Sequence, residues 1–446
     1  MRFTVSARRG VALTALAAAT ALAASGCSAG SLGSSSDDGA SPGEVSITYL
    51  VDNADASVAG GKALIEAFQK ANPNIKVTLD THPAGSDGDN VVKTKLSTGD
   101  MAEVFNYNNG SLLAALKPAT NLVPMTGEPW ASTLNKVFVD ATTVDGQLYG
   151  APSGTAFGGG VMYNKPVYEK LGLTIPKTWD EFMANNDKIK AAGITAVEAT
   201  YGDTWTSQLP VLADYANVEA ADPTFAADYT AGKAKYASTP SALAGFQHIQ
   251  QLHEGGYFNK DFASAKFNDG LKALASGKAA QYPQIGAVAS GLDALSDGKT
   301  NDVGIFAWPG TDSATNTLTV WSPGGLYIPK TAEGAKLDAA KKLVAFSQTQ
   351  PGCDAQSTAA KPTGPYLSTN CTLPSDVITI AKDTSAYFKD GKVSPALEFK
   401  SPIKGPSLEQ ICIQVGTGQV NGDKGAALYD ADVKKQAQQL GLPGWD

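Results

Sequence analysis

The sequence predicts an α/β protein whose sheet is at least partly parallel. Three local patterns carry this. Val45, Ile47, Tyr49 and Val51 alternate with Ser46, Thr48 and Leu50, the period of two expected of a strand. From Lys62 to Ala71, the side chains of Leu64, Ile65 and Phe68 fall on one helical face. Asn72-Pro73-Asn74 breaks that helix, and Ile75, Val77 and Leu79 alternate again. Strand, helix and strand in this order form a β-α-β unit, which builds sheets covered by helices. A chain of 446 residues has room for about two to three domains.

The same vocabulary recurs along the chain. Residues 161–164 read as a strand and 165–170 as a short helix. Thr178-Trp179-Asp180-Glu181 is a capping box, in which Thr178 accepts from the Glu181 amide and the Glu181 side chain reaches back. The helix it opens carries Phe182, Asn186 and Ile189, and Trp179 belongs with its core. Residues 194–199 read as a strand. Pro240, after Thr239 as a cap, opens a helix with Leu243, Phe246 and Ile249 inward. A late helix is expected from about Glu333 to Gln348. No repeat of fixed period points to a solenoid.

The N-terminus reads as export machinery. Arg2, Arg8 and Arg9 precede the apolar run 11–24, which is shorter than the roughly 20 residues that span a bilayer. The run ends in Ala24-Ser25-Gly26-Cys27, which resembles the lipobox of bacterial lipoproteins, apart from Ala24 where Leu is preferred. Residues 1–26 are thus expected to be a signal peptide, with Cys27 lipidated. Residues 27–43, rich in Ser, Gly, Asp and Ala, would form a flexible tether.

Composition excludes several chemistries. The net charge is −8 and no Lys/Arg cluster exists, so a nucleic-acid partner is not expected. Three histidines and four cysteines leave few zinc ligands. No Gly-x-Ser-x-Gly string marks a nucleophile elbow. Gly298-Lys299-Thr300 would need Gly at 293 to be a phosphate loop, but Asp293 stands there, and Gly416-x-Gly418 is followed by Asn421 rather than a third Gly. His248 and His253 are five apart, off a shared helical face, and read as solvated helix residues. Gly158-Gly159-Gly160 reads as a tight backbone passage. Outside the cytoplasm thiols oxidise. Cys353 and Cys371 flank a Pro/Gly/Ser/Thr-rich loop and are the favoured disulfide, with Cys412 left over, although pairings that use Cys412 stay open.

Longer strings then carry a resemblance. Tyr163-Asn164-Lys165-Pro166, Tyr168-Glu169-Lys170-Leu171-Gly172-Leu173 and Pro176-Lys177-Thr178-Trp179-Asp180-Glu181-Phe182 form one block. With the string at 68–77, Asp145-Gly146-Gln147-Leu148-Tyr149-Gly150-Ala151-Pro152, Ser276-Gly277-Lys278-Ala279-Ala280 and Gly324-Gly325-Leu326-Tyr327-Ile328-Pro329-Lys330, it resembles the extracellular solute-binding proteins of ABC sugar importers, the family that includes maltose-binding protein. The match departs at Ala102-Glu103, where relatives have Pro-Asp, and over residues 353–373 and the C-terminal stretch.

The resemblance implies a two-lobed periplasmic-binding-protein-like fold with a hinge and a central ligand cleft. One lobe would hold 44–152 and 303–350, the other 153–302 and 351–446. It further implies a mono- or oligosaccharide ligand, permease subunits of an ABC transporter as partners, an extracytoplasmic membrane-anchored location, a monomer, no cofactor and no catalysis.

Candidate ligand platforms follow from aromatic placement. Trp205 lies in a Gly-bearing loop where relatives put a ligand-contacting Trp, Trp321 precedes Ser322-Pro323-Gly324-Gly325 at the cleft, and Trp308 lies near the expected lobe crossover. Trp205 and Trp321 would then face one another from different lobes. Polar candidates sit at strand ends: Asp52, Asn53, Asn106, Tyr107, Asn108, Asn109 and Gln284. Each would equally serve as a turn former. The rival reading is a secreted glycoside hydrolase, which needs two carboxylates about 5–10 Å apart. No string singles out such a pair, and Asp180-Glu181 is accounted for by capping. A structural lipoprotein is the third class.

Overall fold

The β-α-β unit forms as its pattern predicts, and it seeds the first of two sheets. In the computed structural model, which describes residues 43–445, strand Val45–Asp52 pairs in parallel with Ile75–His82 along its whole length, from Val45↔Ile75 to Asp52↔His82. Its other edge takes Val104–Tyr107, also in parallel. Gly325–Tyr327 and Ala151–Pro152 complete the sheet in antiparallel register. The signal peptide, Cys27 and the tether up to Pro42 lie outside the described residues.

Both faces of this sheet are covered. Ile47, Tyr49 and Val51 pack with Leu64, Ile65 and Phe68 of helix Asp55–Ala71 and with Leu343 and Val344 of helix Gly334–Ser347. Leu50 and Phe105 face a second cluster with Val92, Leu113 and Tyr327. That explains why the apparently out-of-phase Leu50 is buried: strands covered on both sides read as continuous apolar runs. Helix Asp55–Ala71 also starts a full turn or more before the expected Lys62. Gly60-Gly61 hides its first half from a propensity reading; at Gly61 the helix packs closely on the sheet, and a Cβ would lie 2.9 Å from Leu79 Cδ1, which would have to shift.

The second sheet has the order Val393–Pro395, Leu318–Trp321, Phe157–Asn164, Ala279–Ile285, Thr195–Val197, with Val303–Ala307 also paired to Phe157–Asn164. Strand Phe157–Asn164 is therefore hemmed in on both edges, by Ala279–Ile285 on one and by Leu318–Trp321 and Val303–Ala307 on the other. The glycine triplet is the consequence. A Cβ at Gly158 would lie 2.6 Å from Leu318, at Gly159 2.3 Å from the Trp321 ring, and at Gly160 2.1 Å from the Phe306 carbonyl oxygen. The last clash is with backbone and cannot be relieved by a rotamer change. Gly160→Ala is expected to lower unfolding free energy by about 1–3 kcal/mol, as overpacking does, measured by urea titration.

Helices around this sheet follow their signals. The Thr178–Glu181 capping box is present in both directions and opens Trp179–Ala191. Helix Pro240–Glu254 begins at the expected proline, although the Thr239 side chain makes no cap bond. A helical layer joins Phe225, Tyr229, Tyr236 and Phe246 to Tyr429 and Trp445 near the C-terminus. His248 is a correction: it is buried rather than solvated, and its Nδ1 accepts from Trp308 Nε1 at 3.3 Å.

The lobe boundaries also need correction. Val303–Ala307 and Leu318–Trp321 are strands of the second sheet, not of the first, because they pair antiparallel to Phe157–Asn164. The second crossover thus falls at Ser322–Gly324 rather than at 303. Helix Gln350–Ala359 packs on Asp55–Ala71 in the first lobe, so the third crossover follows Ala359 rather than 350. Such pairings are non-local and leave no mark in a local pattern. Cys353 and Cys371 are joined in a disulfide, with a Cα–Cα distance of 6.1 Å, and Cys412 is free and buried. Among the described residues, no helix is long and apolar enough to cross a membrane.

Candidate ligand cleft

Where the crossovers run between the two sheets, a cleft of about 540 Å³ opens. The first lobe lines it with Tyr49 and Val51 from strand Val45–Asp52, with Ser57 and Gly60 from the helix that follows, and with Asn106 near the end of the neighbouring strand Val104–Tyr107. These are carboxyl ends of parallel strands, where open α/β sheets bind ligands. The second lobe contributes Phe157 and Ala287. The crossovers supply Ser153, Thr155, Gly324, Lys361 and Tyr366, and the end of helix Gln350–Ala359 supplies Gln356 and Ser357.

The lining mixes apolar and polar groups and is close to neutral. Among the described residues no Asp or Glu lines it, and Lys361 is its one charged side chain. The Tyr49 hydroxyl is held far above the usual tyrosine range by burial, with Ser153 and Asn106 opposing. Tyr366 donates to the Cys353 carbonyl at 2.9 Å and also bonds Ser357. Hydroxyls, two amides (Asn106, Gln356) and three aromatic rings (Tyr49, Phe157, Tyr366) therefore converge on one space. Among the described residues no group of His, Cys, Asp or Glu could hold a metal ion.

Of the polar candidates, Asn106 lines this cleft. Asp52 sits at its edge as a turn former: Oδ1 accepts from Ala54 N at 2.9 Å and Oδ2 from Ser57 Oγ at 2.7 Å. Asn53 is exposed and accepts from Ala84 N. Tyr107 points into the opposite face of the sheet, among Leu50 and Phe105. Asn108 is exposed, and its carbonyl accepts from Tyr327. Asn109 is buried and braces the second crossover, donating to Ser322 Oγ at 3.0 Å and to the Pro323 carbonyl at 2.7 Å. Gln284 is fully buried near the Tyr282 hydroxyl, with no well-formed hydrogen bond to either amide atom.

The tryptophans are placed differently from expectation. Trp308 is 0 % exposed, packed with Trp179, Phe182 and His248, so no face remains for a ligand. Trp321 lies in the second sheet, in the same lobe as Trp205, so the two do not oppose each other across the lobes. Its ring runs parallel to Phe157 with centroids 6.0 Å apart, and its Nε1 donates to Glu398 Oε1 at 2.6 Å. It backs a cleft residue rather than lining the cleft. Trp205 is half-buried on the short helix Thr204–Gln208, tilted against Phe267 outside the cleft lining.

Phe157 carried a usable signal, since it precedes the glycine triplet. Tyr49 was visible only as a strand residue. Tyr366 lies in the stretch that matches relatives poorly.

Two α/β lobes, three crossovers and a cleft of mixed polar and apolar lining between them define a two-lobed binding protein. Residues 55–352 match the family model described as bacterial extracellular solute-binding protein, and the chain belongs to that family. It is 29% identical over 301 residues to the multiple sugar-binding protein of Streptococcus mutans, covering 65% of this chain and 67% of that one. Among solved structures, a RafE protein in complex with raffinose superposes with a TM-score of 0.72 at 20% identity, over 88% of this chain and 100% of that one. A chitin oligosaccharide binding protein gives 0.70 at 21%, over 89% and 99%.

Proposed function

We propose that this chain captures a neutral sugar or oligosaccharide in the interlobe cleft and hands it to the permease of an ABC transporter. The observation that carries the reading is the lining itself. Sugars present hydroxyl rims and apolar C–H faces, which suit hydroxyls, amides and aromatic rings. A hydrolase of the paired-carboxylate kind needs two acids across the site, and this lining offers none among the described residues. The sugar-binding names of the relatives point the same way.

The test is a thermal-shift screen across mono- and oligosaccharides, raffinose and stachyose included. A ligand at about 100 Kd adds about 2.7 kcal/mol to stability. No shift with any sugar sinks the reading, and release of new reducing ends revives the hydrolase. Phe157→Ala is expected to weaken the best sugar about 10–100-fold, through loss of about 1–3 kcal/mol of stacking and area, measured by calorimetry.

A sugar touching Tyr49 and Asn106 on one side and Phe157 on the other favours whichever lobe arrangement offers all three contacts at once, and so couples binding to closure. The scattering radius should then shrink on saturation. Lipidation at Cys27 would hold the protein at the extracytoplasmic face of the membrane. Cys27→Ala is expected to move it from the membrane to the soluble fraction, and unchanged retention would reject the anchor.

A further inference from the structure

We infer that the Cys353–Cys371 disulfide is a positioning device for the cleft, so that reducing it loosens one cleft wall and weakens ligand binding without unfolding the lobes. The inference rests on the reading of the cleft as the ligand site. The bridge closes a loop with a sequence separation of 18, and that loop carries Gln356, Ser357, Lys361, Thr363 and Tyr366 into the cleft.

The bridge also stands against the hinge. A small void behind it is bordered by Cys353, Cys371, Tyr366, Pro152 and Gly154. The first and third crossovers run side by side there: Thr155 bridges Tyr366, Ala156 N donates to the Pro365 carbonyl at 2.9 Å, and Thr363 N donates to Thr155 Oγ1 at 3.2 Å. One anchor of the loop is therefore a helix of the first lobe, and its middle is laced to the strand that enters the second. Near the base of the loop, Gln350 and Thr372 exchange bonds of 2.8 and 3.1 Å. A wall held in its binding geometry before the ligand arrives saves ordering cost on binding. With the bridge open, the lacing alone must hold the wall.

Cys353 is buried and Cys371 half-buried, so an external dithiol meets Cys371 first. Its thiolate attacks Cys371 Sγ, the S–S bond breaks, and Cys353 leaves as a thiolate that takes up a proton. The second thiol of the reagent then displaces Cys371. Two electrons and two protons pass to the protein, and the dithiol ends as its own disulfide.

The experiment is hydrogen–deuterium exchange of the apo protein before and after dithiothreitol, paired with calorimetric titration of raffinose and stachyose into both forms. The double variant Cys353→Ala/Cys371→Ala is run as a second reduced state. Exchange is expected to rise at least threefold across 354–370 and 152–156 while both central strands stay protected, with a roughly tenfold weaker Kd. Unchanged exchange in that segment overturns the inference, as does a rise spread over both sheets. A local rise with unchanged Kd also overturns it. If the oxidised protein binds no sugar at all, the function reading fails, and the exchange pattern still decides whether the bridge orders the wall.

Discussion

Gly60→Phe is expected to abolish sugar binding, by more than 100-fold, in a protein that folds normally. Gly60 lies inside helix Asp55–Ala71 and faces the cleft, and a Cβ built there meets nothing within 4 Å. Its φ is not in the left-handed region, so a side chain brings no backbone strain. The added ring must extend into the space that the ligand would occupy beside Tyr49 and Ser57. Helix propensity moves the other way. A glycine within a helix costs roughly 0.5–1 kcal/mol relative to alanine, so Gly60→Ala should be more stable than the parent by about that amount. Neighbouring Gly61 is the contrast, because its Cβ would strike Leu79. Calorimetry on Gly60→Phe and urea titration on Gly60→Ala separate the two effects. If Gly60→Phe binds sugar as tightly as the parent, the ligand does not use this cleft.

Much of the fold was legible because its signals are local. The alternation of Val45 to Val51, the Asn72-Pro73-Asn74 break and the Thr178–Glu181 box each act within a few residues, and each appears where the pattern put it. The glycine triplet was legible as close approach, though not what it approaches. The candidate site was legible only in part, and the reason is burial on both faces. In a strand covered on both sides, alternation no longer tells which side chain meets the core and which the cleft. Hence Tyr49 was read as a strand residue, and Tyr107 was grouped with Asn106 although the sheet turns the two apart. Trp308 and Trp321 went astray for a second reason: their lobe depends on pairing with Phe157–Asn164, some 150 residues earlier in the chain. Size and a nearby Pro-Gly turn mark an aromatic as interesting, but only that pairing decides whether it is core, support or platform.

Stability should fall as pH rises from mildly acid to neutral, and Asp214 should be a main cause. Asp214 sits between two helices of the second lobe and is 2 % exposed. Its Oδ1 accepts from Asn217 Nδ2 at 2.8 Å, while Oδ2 lies against Gly245 without a hydrogen-bond partner. Burial pushes its carboxyl up to about 7 from an ordinary 3.8, with the Asn217 bond opposing. The folded chain therefore keeps the proton that the unfolded chain releases, so stability is lost as pH rises from about 4 to about 7 and stays low above. Glu198, pushed up to about 8 by burial and by Asp261 and Asp269, adds to the decline. His248 works against it at the acid end: burial holds its imidazole down at about 3, so stability falls as pH drops below 6.5. Asp214→Asn keeps the acceptor for Asn217 and removes only the titration. Between pH 5 and pH 8 the parent should lose about 2–3 kcal/mol more than this variant, at about 1.4 kcal/mol per pH unit up to its pKa. Urea titrations of both proteins at the two pH values measure the difference of differences, which cancels any pH-independent cost of the amide. Equal losses in parent and variant would mean that Asp214 is ionised in the folded protein at pH 5, with a partner or water at Oδ2 that offsets its burial.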